Sequence, residues 1–144
     1  MTTEEVATFL EAQRTVICAT NGARGWPHLM PLWYVVRGRD IWAWTYGKSQ
    51  KVRNLERDPR VTLQVEGGQR YEELRGVMIE ARTEVHRDLG VITELGVELL
   101  HRYTGASSEE LLGAVRGQAA KRVAMQFVAE RTASWDHRKL SGTY

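Results

Sequence analysis

The chain has 144 residues, with twenty Lys plus Arg against eighteen Asp plus Glu and a formal charge of +2. That length suits one substantial core and not two, so a single domain over 1–144 is expected, and the small net charge excludes a nucleic-acid footprint spread over the whole surface. No apolar run approaches the roughly 18 residues of a membrane span, and the start Met-Thr-Thr-Glu-Glu lacks the charged and apolar regions of a signal peptide. A soluble, cytoplasmic protein is expected, with any anion site local. The single Cys18 lies in the apolar run Thr15 to Ala19, which excludes an internal disulfide and fits a core thiol.

Thr2 stands three residues before Glu5, the pattern of a capping box, and Val6, Phe9 and Leu10 follow at helical spacing. Thr15 to Thr20, Trp26 to Val36 and Ile41 to Tyr46 then read as three strands of a meander, joined by turns at 21–25 and 37–40. Pro27 and Pro31 remove ladder donors from the second strand, so it should lie at an edge or carry bulges. Gly47 turns the chain into a short helix opening around Ser49, which Asp58-Pro59 ends. Arg60 to Glu66 is a fourth strand, and Leu74 to His86 a fifth, with Val77, Ile79, Ala81, Thr83 and Val85 on one side. Ile92, Leu95, Leu99 and Tyr103 form a helical stripe, Ser107 with Glu110 caps another short helix, and Val123 to Trp135 is the last strand. About six strands joined by short turns predict a mainly β fold, a small antiparallel barrel with peripheral helices.

The helix at Ser49 carries the wrong charges. Its N-terminus is the positive end of the helix dipole, yet the first turn holds Lys48 and Lys51 and no acid. A phosphate on the free N–H groups there would reconcile dipole and lysines, with the hydroxyls of Thr45 and Ser49 adding donors. The same pattern also fits a solvated helix whose charges serve only solubility. A second candidate is Gly25 to Tyr34, where two prolines, His28 and two tryptophans surround a stretch of strand against which a planar ring could lie. An aromatic-rich barrel core would look the same.

His28, His86, His101 and His137 show no ligand spacing, so no metal site is expected. Neither Gly-x-Ser-x-Gly nor Gly-x-Gly-x-x-Gly occurs, which excludes a nucleophile elbow and a Rossmann fingerprint.

Taken in order, Thr20-Asn-Gly-Ala-Arg-Gly-Trp-Pro-His28, Pro31-Leu-Trp-Tyr34, Thr45-Tyr-Gly-Lys-Ser-Gln-Lys-Val-Arg-Asn-Leu55 and Arg57-Asp-Pro-Arg60 resemble the flavin/deazaflavin oxidoreductase superfamily built on the pyridoxamine 5'-phosphate oxidase split barrel. Tyr71-Glu-Glu-Leu-Arg-Gly-Val-Met-Ile79 and Trp135-Asp-His-Arg-Lys-Leu140 resemble its deazaflavin-dependent B branch. The resemblance is weakest from Arg87 to Arg116.

It implies a six-stranded antiparallel split barrel forming a homodimer, with a cofactor groove at the subunit interface. It implies that Lys51, with Thr45, Ser49 and Asn54, holds the cofactor phosphate, and it places Gln50 among the cofactor-binding residues. The backbone of His28, Leu29, Met30, Pro31 and Leu32 would border the ring. Arg75, Gly76 and Val77 would line the same groove, and Trp135 would reach the partner's site. Charge alone suggests Arg53 and Arg57 for the acidic tail of coenzyme F420. The expected activity is hydride transfer between F420 and an unsaturated organic small molecule, with no catalytic acid or base identified. The alternatives are an FMN-binding oxidase of the pyridoxamine phosphate type, and a cofactor-storage or haem-binding protein without turnover.

Overall fold

The computed structural model describes residues 1–140. In chain order the elements are α1 (Thr3–Ala12), β1 (Val16–Asn21), β2 (Pro27–Leu32), β3 (Val35–Arg37), β4 (Asp40–Tyr46), α2 (Gln50–Arg57), β5 (Arg60–Gly67), β6 (Arg75–His86), α3 (Leu89–Thr104), α4 (Ser108–Ala119) and β7 (Arg122–Asp136). All strand pairs are antiparallel, in one sheet of order β2-β1-β5-β6-β7-β4-β3. The sheet curls on itself: Val16 and Cys18 near one margin share a core cluster with Ile41 and Ala43 near the other.

The mainly β antiparallel class stands as expected, but the sheet has seven strands, not six. The segment Trp26 to Val36, expected as one strand, breaks at Trp33-Tyr34. Tyr34 spends its backbone outside the ladder: its N–H donates to the Tyr103 hydroxyl at 3.0 Å, and its C=O accepts from Arg102 and Tyr103. Its ring is fully buried and its hydroxyl donates to the C=O of Leu10 at 2.5 Å. A residue bonded in this way to α1 and to α3 cannot also pair with a strand. The prolines have their expected effect, since β2 is an edge strand.

Alternation places Val77, Ile79, Ala81 and Thr83 of β6 inside. Helices close the two ends of the barrel. Phe9 and Leu10 of α1 enter the core at the end where β6 begins, with the Arg75 guanidinium 5.2 Å above the Phe9 ring. α2 covers the opposite end, where β1 and β4 finish. The Arg87 to Arg116 region is a helical pair on the outer face of β4, packing Ile92, Leu95 and Leu99 with Ala119 against Trp42, Trp44 and Ala124. Both expected capping boxes, at Thr2 and Ser107, are formed.

Candidate functional site

The Ser49 helix is not a solvated one. Val52 and Leu55 face the core as expected, and Lys51 and Asn54 are buried beside them, Lys51 at 7% exposure. The Lys51 ammonium donates to Thr45 Oγ1 at 3.0 Å and, among the described residues, meets no carboxylate. Burial lowers its pKa from the ordinary lysine value, because the charge has left water without a counter-ion. Asn54 donates to Thr20 Oγ1 at 3.0 Å and accepts from Gln50 and Arg57, which ties α2 to β1.

The helix N-terminus is left open. Ser49 is its N-cap, yet the side chain makes no cap hydrogen bond, the first turn has no acid, and Ser49 Oγ is buried without a partner. A buried hydroxyl of this kind is uncommon, since nearly all buried polar atoms find a partner. With the free N–H groups of the first turn and the buried ammonium, it makes a cradle suited to a dianionic group.

Beside α2 lies a cleft lined by Gly22, Arg24, Trp26, His28, Gln50 and Asn54. His28 is opposite Thr20 on β1, so it points to the same side as the Asn54–Thr20 bond, and its Nδ1 is buried with no partner. Two of the four buried unpartnered side-chain atoms among the described residues therefore flank α2. From His28, β2 runs along the edge of the sheet to Leu32, with Leu29 at 55% and Met30 at 41% exposure.

Thr45, Ser49, Lys51, Gln50, Asn54 and His28 are thus brought together, with Leu29 to Leu32 leading away from them. Arg75, Gly76, Val77 and Trp135 are not part of that group. They lie at the α1 end, where Val77 is wholly inside the core and the Trp135 ring covers Gly76 so closely that a Cβ there would come within 2.2 Å of it. β1 and β5 separate β2 from β6, so the two groups stand three strand spacings apart within one protomer, roughly 14 Å. Arg53 is exposed, while Arg57 is engaged by the Asn21 carbonyl and Asn54.

Sequence reasoning missed Thr20, the partner of Asn54, whereas Cys18, whose thiol interacts electrostatically with Lys51, is the core thiol expected. The apolar run around Cys18 did mark it as core. Its pKa is pushed up to about 12 by burial, so it is an inert neighbour and not a nucleophile. No group of three or more His, Cys, Asp or Glu among the described residues is placed to hold a metal, and no helix there is long and apolar enough to cross a membrane.

Residues 2–136 match the family described as pyridoxamine 5'-phosphate oxidase. Among solved structures, a conserved hypothetical protein from Mycobacterium tuberculosis is 42% identical with a TM-score of 0.92, covering 100% of this chain and 91% of that one. An F420 reductase is 20% identical at TM-score 0.73, covering 92% and 98% of the two chains. The haem storage protein HutZ from Vibrio cholerae is 16% identical at TM-score 0.70, covering 93% of each. The last two are alike in fold alone, and no curated protein matches the sequence.

Proposed function

This chain belongs to the pyridoxamine 5'-phosphate oxidase family, and we propose that it is an oxidoreductase of the deazaflavin-dependent B branch, binding coenzyme F420 and reducing an unsaturated organic small molecule. The observation that carries the reading is the α2 cradle: a buried ammonium with no carboxylate, beside a buried Ser49 hydroxyl with no partner, at an uncapped helix N-terminus. Each element costs stability in the free protein and is satisfied by one phosphate. The Lys-Ser-Gln-Lys and Trp-Asp-His-Arg-Lys-Leu segments favour the deazaflavin. FMN is the second reading, supported by a phosphate site that would serve it equally and by the family's own description.

In this reading Lys51, Ser49, Thr45, Gln50 and Asn54 hold the phosphate, and the exposed edge of β2 from His28 to Leu32 borders the ring. A deazaflavin held there would supply hydride chemistry when reduced. The protein's own part is to orient the acceptor and exclude water.

A second copy of the chain completes the groove. Pro31, Ile17, Gln64, Met78 and Ala133 lie in one row across the outer face of the sheet, apolar but for Gln64, with Leu29 and Ala19 beside its β2–β1 end. α3 and α4 cover that face at β3, β4 and the start of β7. An uncovered row that is mostly apolar, flanked by the polar Thr62, Glu80 and Arg131, suits a partner surface. Pairing it with its twin about a two-fold axis brings Gly76 and Trp135 of the partner towards β2, which one protomer cannot do.

The test is a pair of titrations of the purified protein, with F420 and with FMN, followed by Trp fluorescence and calorimetry. Tighter binding of F420 is expected, and tighter FMN binding overturns the choice of cofactor. Turnover of reduced F420 with a panel of conjugated acceptors separates an enzyme from a storage protein.

A further inference from the structure

Where the turn from β4 into α2 meets the turn from α4 into β7, Tyr46, Lys48, Arg87, Lys121 and Arg122 line an open cleft of ≈ 700 Å³. The fold forces these cations together. Tyr46 pairs with Arg122 in the β4–β7 ladder, and the Gly47 N–H donates to the Lys121 C=O at 2.9 Å. No carboxylate lines the cleft, and of its four basic residues only Arg87 has an ion-pair partner among the described residues, Glu56 at 2.7 Å. Some exposed cations elsewhere are matched, as Arg60 is by Asp58, Arg82 by Glu130 and Lys139 by Glu5; what sets this cleft apart is that Lys48, Lys121 and Arg122 gather in one place without a carboxylate.

Arg122 is the fixed point of the cluster. Its guanidinium carbon lies 4.5 Å from the centre of the Trp44 ring and 4.4 Å from that of Tyr46. Nη2 donates to Gln118 Oε1 at 3.2 Å, while Nε is buried with no acceptor. Trp44 is itself held in place, since α3 approaches it at Gly96, where a Cβ would come within 2.3 Å of the indole. A guanidinium stacked between rings has lost its rotamer freedom before any ligand arrives, and its charge is answered by no acid of the protein. Lys48 and Lys121 add charge of the same sign on flexible stems. Such a cluster is a cost to the free protein that a multiply charged anion reverses.

We propose that this cleft is a second anion site, taking a flexible ligand that carries two or more carboxylate or phosphate groups. The cleft lies beside the N-terminus of α2, since the Ser49 N–H donates to the Tyr46 C=O at 3.0 Å, but it shares no lining residue with the Lys51–Thr45 pair. Two sources supply such chemistry: the acidic tail of a cofactor already held at α2, which rests on the function proposed above, or an independent polyphosphate or polycarboxylate.

The experiment uses tripolyphosphate as probe, titrated calorimetrically at physiological ionic strength into the wild type, the double variant K48E/K121E and Lys51→Met. Both substituted lysines of the double variant are exposed, and its melting curve verifies folding. The wild type binds saturably, the double variant at least about tenfold more weakly, and Lys51→Met within about threefold of wild type. Absence of saturable binding, or equal affinity in the double variant, overturns the proposal. A loss in Lys51→Met as large as in the double variant also overturns it, by placing the anion in the α2 cradle. With probe binding established, K48E/K121E weakening F420 but not FMN assigns the cleft to the cofactor tail, and leaving both unchanged assigns it to a separate ligand.

Discussion

Replacing Lys51 by Met separates a structural lysine from a functional one, because the two roles predict opposite signs. The methionine keeps most of the stem that packs beside Val52 and Leu55 and removes the ammonium. In the free protein that ammonium has one acceptor, Thr45 Oγ1, and no carboxylate. Taking an ion out of water costs several kcal/mol even after relaxation, while a hydrogen bond to a charged donor returns about 1.5 to 3 kcal/mol. The balance favours removal, and Lys51→Met should be more stable than wild type by about 1 to 2 kcal/mol. At about 2.1 cal/mol/K per residue, a chain of 144 residues has an unfolding entropy near 0.30 kcal/mol/K, so the melting temperature should rise by roughly 3 to 7 °C.

Anion binding should move the other way. Loss of one charge-assisted contact weakens the phosphate-bearing cofactor by about 1.5 to 3 kcal/mol, on the order of 10- to 150-fold. The pH dependence has a definite sign. Burial lowers the pKa of Lys51, so between that value and the ordinary 10.5 the unfolded chain holds a proton that the folded protein does not. Stability of the wild type therefore gains from this group as pH rises through the window, and Lys51→Met loses that slope. Cofactor affinity falls over the same rise, since the anion needs the charged form. Calorimetric melting with and without ligand measures all of this. A variant that melts lower than wild type and binds the cofactor equally well would refute the reasoning and return Lys51 to a structural role.

Gly76→Ala places a methyl group 2.2 Å from the Trp135 ring, so the indole must swing away; a red shift of Trp fluorescence and a loss of about 1 to 3 kcal/mol in urea unfolding are expected. Arg102→Met should cost about 3 to 4 kcal/mol, because its guanidinium donates to the carbonyls of Leu10, Glu11 and Gln13 at 3.1, 3.0 and 2.8 Å and α1 has no basic residue in its own last turn. A loss below about 1 kcal/mol in the same unfolding measurement would contradict that account. Arg138 beside Asp136 holds its carboxyl at about 2, below the ordinary 3.8. Its contribution is complete above 3.8 and fades as pH falls towards 2, so Asp136→Asn should flatten acid unfolding in that window and leave neutral melting little changed in slope.

The features legible in the sequence are those whose physics is local. Thr2 with Glu5 and Ser107 with Glu110 are capping boxes because the partners lie within one turn, and both form. Pro27 and Pro31 exclude a central strand wherever the chain places them, and β2 is at the edge. The lysines at Ser49 contradict the dipole of their own helix. What stayed hidden depends on residues far apart: the strand break at Tyr34 is made by Arg102 and Tyr103, at sequence separations of 68 and 69 residues. The covering of Gly76 by Trp135 likewise needs the β6–β7 register, which shifts at a bulge between Glu80 and Ala81.

The same distinction divides the candidate site. Its proposed phosphate end is built mainly from Thr45 to Asn54, ten consecutive residues of one turn-and-helix unit, with only Thr20, the partner of Asn54, coming from elsewhere. Sequence could suggest that end because the anomaly and its explanation sit together. The proposed ring end would be divided between β2 and the Gly76–Trp135 pair, with β1 and β5 between them. A motif on each strand can be read, but the joining of the two depends on a surface and not on spacing. The uncovered row Pro31, Ile17, Gln64, Met78 and Ala133 links those strands across the sheet. The row proposed to bury against a second copy is therefore the same row that spans the gap between the two halves of the proposed groove, so the proposed assembly and the proposed ring binding stand or fall together.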